Sequence, residues 1–182
     1  MPVETVTTRP EDHRIAWLAA LAIAIHVLEA AIPSPVPGLK PGLANLVTLL
    51  ALLAFGWRTA VWVSLLRVLV GSLILGSFLT PTFMLSLAGA LASLLALGLG
   101  RALGRHWLGP LGLSLLAALG HISGQFLLAY ALFIPHPGLW HLFPPLLTAA
   151  LIFGILNGII ANLALQGVDR IGTPREGTAS RT

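Results

Sequence analysis

Six apolar runs, cut from one another by proline, glycine or arginine, leave this chain few ways to fold. A helix that crosses a bilayer needs about 20 mostly apolar residues, and unpaired backbone is not tolerated where lipid surrounds it. The runs are Ile15 to Ile32, Leu43 to Phe55, Thr59 to Leu75, Thr82 to Leu99, Leu111 to Ile134 and Leu146 to Gln166. Charged residues make up 9% of the 182 residues, against about 25% in an ordinary soluble domain. The expected fold is an all-α integral membrane protein, a six-transmembrane-helix bundle over residues 15–166. Residues 1–14 form a polar N-terminal segment, and the composition of residues 167–182 predicts a disordered tail. The first run continues past Ala19-Ala20-Leu21-Ala22 to Ile32 and reads as an uncleaved span rather than a leader. The second run is the weakest, because its 13 residues cover only about 20 Å as a helix and suit a tilted or half-spanning segment equally well.

Orientation follows from the basic residues between the runs. With six spans, Arg9, Arg14, Arg58, Arg101, Arg105, Arg170, Arg175 and Arg181 fall on one side and Lys40 alone on the other. That asymmetry predicts both termini in the cytoplasm of a bacterial cell whose inner membrane the chain crosses. Trp17, Trp57, Trp107 and Trp140 then lie near the two interfaces, where tryptophan is ordinarily found.

Between the first two runs, Ile32-Pro33-Ser34-Pro35-Val36-Pro37-Gly38-Leu39-Lys40-Pro41-Gly42 cannot be helical through its middle. Each proline fixes φ, lacks an amide proton and disfavours the α region for its predecessor. Such backbone at a membrane must line protein or water.

Several function classes are excluded. The charge of +4 and pI near 11.2 come from basic loops and tails, with no basic run interleaved with aromatics to bind nucleic acid. The chain has no cysteine, so neither a disulfide nor a thiolate metal site forms. His136 and His141 have a spacing that can hold zinc but lack an acidic partner, so no metal site is expected. Lys40 is the sole lysine and stands in no Walker loop. The only aspartates, Asp12 and Asp169, are at the ends, so no aspartate cluster can hold magnesium. Ser123 lies two positions from His121, which turns the two to different helix faces. A catalytic role for this chain alone is not expected, and no cofactor is implied.

Polar residues inside the runs are the candidate site. Arg67 lies about 12 Å into the third run, near mid-membrane, with Ser64 and Gly71 on its face. It reads either as half of an ion pair with Glu29 or as the anchor for a ligand carboxylate or phosphate. Glu29 can pair with Arg67 or Lys40, and His26 sits one turn before it. His121 and Gln125, four residues apart, share a face of the fifth run. They can bond a planar polar ligand, relay a proton or join two helices; haem ligation by His121 is a minor alternative. Asn157 lies at mid-depth in the sixth run, and Asn45 opens the second, where it can also tie the free carbonyls before it. The ligand-binding candidates are therefore Lys40, Asn45, Arg67, His121, Gln125 and Asn157. Small residues recur every four positions at Ala16, Ala20 and Ala24, at Gly120 and Gly124, and at Gly154 and Gly158. Such stripes let helices approach closely, inside the bundle or against a partner.

The stretches Pro35 to Asn45, Leu66 to Gly71, Ser86 to Ser93 and Gly120 to Gln125 resemble the bacterial Gx transporter family, also labelled heptaprenyl diphosphate synthase component I. The likeness spans most of Ile15 to Ala164, with Pro41 where the family usually has an aliphatic residue and Ile122 where it often has asparagine. That family is similar to the substrate-binding S components of energy-coupling-factor transporters. The resemblance implies an S-component-like bundle with a pocket toward the outer face. It also implies docking to a partner membrane subunit through the first helix, which suits Ala16, Ala20 and Ala24. It implies a flavin-, quinone- or prenyl-type ligand. The alternative it leaves is a non-catalytic membrane anchor for a soluble prenyl diphosphate synthase or a flavin-dependent electron-transfer complex.

Overall fold

The computed structural model describes residues 9–31, 43–103 and 108–172. The proline-rich segment with Lys40 and its flanking residues, Arg105, Trp107 and the tail after Gly172 lie outside the described residues. Helices α1 (Pro10–Ala31), α2 (Leu43–Phe55), α3 (Trp57–Ile74), α4 (Pro81–Leu103), α5 (Pro110–Leu128) and α6 (Phe143–Gly172) follow in order. A π-helical turn at Ala129–Phe133 prolongs α5, and a 3-10 turn at Pro137–Leu142 leads into α6. Five of the helical segments are long and apolar enough to cross a membrane, while α2 is a shorter apolar helix.

Three helices extend by four or more residues beyond their apolar runs, α4 among them, which reaches Leu103. α1 starts at Pro10 because the lead-in carries a helix start signal: proline at the first position and Glu11 and Asp12 in the first turn. The Arg9 amide donates to Asp12 Oδ2 at 2.8 Å, and Glu11 reaches Arg58 at the start of α3 at 3.9 Å. α6 continues through Gly167 to Gly172, past the end of its apolar run. A single residue, Gly56, separates α2 from α3. Its φ of 94° is a value that a residue with a Cβ adopts only under strain.

Small residues zip the bundle together. An ideal Cβ on Gly120 would stand 2.9 Å from the Ala92 carbonyl oxygen, and one on Gly124 would stand 2.8 Å from that of Ala88. The glycine stripe of α5 thus lies against α4 at near-backbone contact. Gly154 and Gly158 do the same for α6 against Ala118 and Leu111 of α5. The Ser114 hydroxyl fixes that seam by donating to the Gly154 carbonyl at 2.7 Å. On α1, Ala19 and Ala22 are buried, whereas Ala16, Ala20 and Ala24 face outward. Large apolar side chains such as Trp17, Leu95, Leu103 and Leu163 cover the outside of the bundle, the surface that lipid rather than water covers.

Packing is uneven along the bundle. Ala22, Val47, Leu52, Ala60, Val63, Leu97, Leu113, Ala117 and Ala161 make one continuous core. They occupy the half that holds the α2–α3 and α4–α5 connections, and the short α2 is its centre. The other half, nearer the α3–α4 and α5–α6 connections, has only a smaller core of Val68, Phe83 and Ala90 and is hollowed by a cavity.

Candidate ligand cavity

The hollow half encloses a cavity of about 460 Å³, to which every helix contributes. This is within the range of small-molecule pockets, roughly 300–1,000 Å³. Its polar wall comes from His26 and Glu29 on α1, Asn45 on α2, Arg67 and Ser72 on α3, His121 and Gln125 on α5, and Asn157 on α6. Five of the six ligand-binding candidates therefore line one space, and Lys40 is outside the described residues. Phe83 and Phe153 supply aromatic surface, and Val68, Ile122 and Leu146 supply apolar surface.

Arg67 is the most constrained of these groups. It is 4% exposed, and its Nε has no hydrogen-bond partner. Glu29, also 4% exposed, interacts with it through charge. Among the described residues the ion pair within contact distance is Arg58–Glu11, so the guanidinium is not locked against the Glu29 carboxylate. A buried guanidinium with an unpaired donor is costly. Arg67 also acts electrostatically on His121, which puts the guanidinium and the imidazole in one neighbourhood.

The two histidines are held by glycines. A Cβ on Gly71 would stand 2.9 Å from His26 Cδ2, and one on Gly89 would stand 2.8 Å from His121 Cε1 and from Gln125 Cγ. The absent side chain on α3 makes room for α1's imidazole, and the one on α4 makes room for α5's. His121 Nε2 and Gln125 Nε2 are 3.0 Å apart. His121 Nδ1 is buried beside the α4 backbone without a well-formed hydrogen bond.

The outer histidines have a local role. The Gly138 amide donates to His136 Nδ1 at 3.0 Å, and His141 Nδ1 lies 3.2 Å from the Gly138 carbonyl. Both brace the 3-10 turn, and among the described residues no group of three metal-binding side chains converges. Trp140 packs its ring on Phe126, Tyr130 and Phe143 at 5.1 to 5.7 Å between centroids. That cluster fastens the α5–α6 connection to both helices.

Sequence reasoning missed part of the wall. Ser72, Thr82, Phe83, Ser86 and Phe153 line the cavity. Thr82 and Ser86 stand at i, i+4 on α4, the spacing that marked His121 and Gln125, but small hydroxyls are common in membrane helices and did not stand out. Gly89 is the other omission, since a notch is visible only once its occupant is known.

The family model described as heptaprenyl diphosphate synthase component I matches residues 18–164. None of the curated proteins matches the chain. Among solved structures, the S component of a bacterial ECF transporter superposes with a TM-score of 0.60 at 16% identity, covering 89% of this chain and 99% of that one. At that identity the likeness is one of fold. Together the match and the apolar helices establish a multi-pass membrane protein with an S-component-like fold, and the chain belongs to the heptaprenyl diphosphate synthase component I (Gx transporter) family.

Proposed function

We propose that this protein is the substrate-binding membrane subunit of a small-molecule transporter. The observation that carries this reading is the buried Arg67, whose Nε lacks a hydrogen-bond partner, on a cavity of about 460 Å³ shared with His121, Gln125 and Asn157. A merely structural arginine at this depth would be closed off by a carboxylate. Arg67 instead lines a space large enough for a ligand. The ligand is a partly anionic compound of flavin, quinone or prenyl type, with Arg67 and Lys40 as its anionic anchors and Asn45, His121, Gln125 and Asn157 as polar contacts. The chain crosses a bacterial inner membrane six times with both termini inside, and the cavity opens outward. The outward face of Ala16, Ala20 and Ala24 docks a partner membrane subunit that supplies energy, for which this chain has no nucleotide-binding motif. The S-component-like fold supports this arrangement. The chain catalyses no reaction by itself.

Native mass spectrometry of the protein, gently extracted from its membrane, tests the reading. A retained small acid is the expected result. A bare chain that copurifies with a soluble synthase or flavoprotein would replace the reading with that of a membrane anchor.

A further inference from the structure

The His121–Gln125 pair narrows the chemistry of the ligand, given the reading of the cavity as a binding site. Two nitrogens 3.0 Å apart attract only if one donates and the other accepts. A carboxamide nitrogen can only donate, so imidazole Nε2 is the acceptor and the ring proton sits on Nδ1. The ring is held in the Gly89 notch, where an ideal Cβ would be 2.8 Å from Cε1 and 2.9 Å from Nδ1. The clamped imidazole in turn fixes the Gln125 carboxamide, which lines the cavity. One of its N–H groups is taken by His121. A second N–H and the carbonyl oxygen remain, side by side, with no other partner among the described residues.

We propose that Gln125 reads a ligand edge with a hydrogen-bond donor next to an acceptor. A lactam, an imide or an amino-substituted nitrogen heterocycle has such an edge, and it pairs with a carboxamide through two parallel hydrogen bonds, as glutamine pairs with adenine. The ligand class is thus a planar nitrogen heterocycle with an acidic arm, the arm on Arg67 and the edge on Gln125. A quinone offers acceptors alone and a prenyl chain offers neither group, so both leave the second N–H or the carbonyl unpaired. A site built to hydrogen-bond a group discriminates strongly against analogues that lack it.

Equilibrium binding to the full-length protein in lipid nanodiscs tests the proposal with four probes. Flavin mononucleotide has an imide edge and a phosphate, and riboflavin has the edge without the phosphate. 3-Methyl flavin mononucleotide has the phosphate with the edge donor blocked, and 1,4-naphthoquinone-2-sulfonate has an anion with acceptors only. The wild type is expected to bind flavin mononucleotide at least about tenfold more tightly than the 3-methyl compound, the loss typical of a hydrogen bond to a polar site. Gln125→Met is expected to bring that ratio close to one, and Arg67→Gln to leave the ratio intact while removing the preference over riboflavin. Equal wild-type affinities for flavin mononucleotide and its 3-methyl derivative would overturn the proposal without recourse to any variant. So would a ratio unchanged in Gln125→Met. Preferential binding of the naphthoquinone sulfonate, lost in Arg67→Gln, would overturn the edge but keep the cavity as an anion site. Binding of none of the four overturns the edge proposal, and the retained-ligand measurement then decides the cavity reading separately.

Discussion

The imidazole of His121 lies where a side chain on Gly89 would be: an ideal Cβ there would stand 2.8 Å from Cε1 and 2.9 Å from Nδ1. The α4–α5 seam therefore sets the position of a cavity residue, so under the proposed function packing and ligand recognition are coupled at one glycine. Gly89→Ala should displace both His121 and Gln125. Overpacking of this kind costs about 1–3 kcal/mol. The expected outcome is a lowered thermal midpoint together with weakened ligand binding, read by scanning fluorimetry with and without the retained compound. Wild-type binding in Gly89→Ala would show that the notch does not position the pair.

Gly56 provides the contrast. A Cβ there meets nothing within 4 Å, but φ is +94°. Gly56→Ala should cost about 1–2 kcal/mol through backbone strain alone. The thermal midpoint should fall while ligand affinity, once folded, stays at the wild-type value. A binding loss here comparable to that of Gly89→Ala would mean that the α2–α3 turn is coupled to the cavity.

Arg67 should show opposite effects on stability and binding. Replacing both members of a buried charge pair with neutral groups of similar size is often neutral or stabilising, whereas removing one leaves the other uncompensated. Arg67→Met combined with Glu29→Gln should leave the ligand-free thermal midpoint unchanged or raised, and should abolish ligand-induced stabilisation. A large drop in the ligand-free midpoint would assign the guanidinium to holding the bundle together.

Because the chain has no cysteine, single cysteines can report which side each end of the bundle faces. Ser77 lines the cavity at the α3–α4 connection, and His13 is exposed at the start of α1. A membrane-impermeant thiol reagent added to intact cells should label Ser77→Cys and should reach His13→Cys only after permeabilisation. The reverse pattern would invert the orientation.

Ala20 is exposed on the outside of α1. Ala20→Leu should leave the fold and ligand binding unchanged and should abolish copurification of a membrane partner. Retention of the partner would move the docking surface elsewhere.

Much of this architecture could be read from the order of residues. Apolar runs bounded by Pro, Gly and Arg located the α-helices among the described residues, because lipid enforces continuous helices and tolerates few polar residues within them. The same rarity made Arg67, His121, Gln125 and Asn157 conspicuous, and the structure places all of them on one cavity. Helix ends were less legible. The start of α1 is a capping signal in polar sequence, and the tail of α6 is helical without being apolar. The cavity's hydroxyl and aromatic wall was hidden because serine, threonine and phenylalanine are ordinary in membrane helices. Gly71 and Gly89 matter through what fills the space beside them, which no local pattern encodes.

The central claim is that the buried guanidinium of α3 holds an acid in the hollow half of the bundle. The most direct check is native mass spectrometry of wild type and Arg67→Gln, prepared identically and released from the same lipid. The expected result is a small acidic compound retained by the wild type and lost from the variant while the protein stays folded. Equal retention by both, or none by either, would contradict the claim.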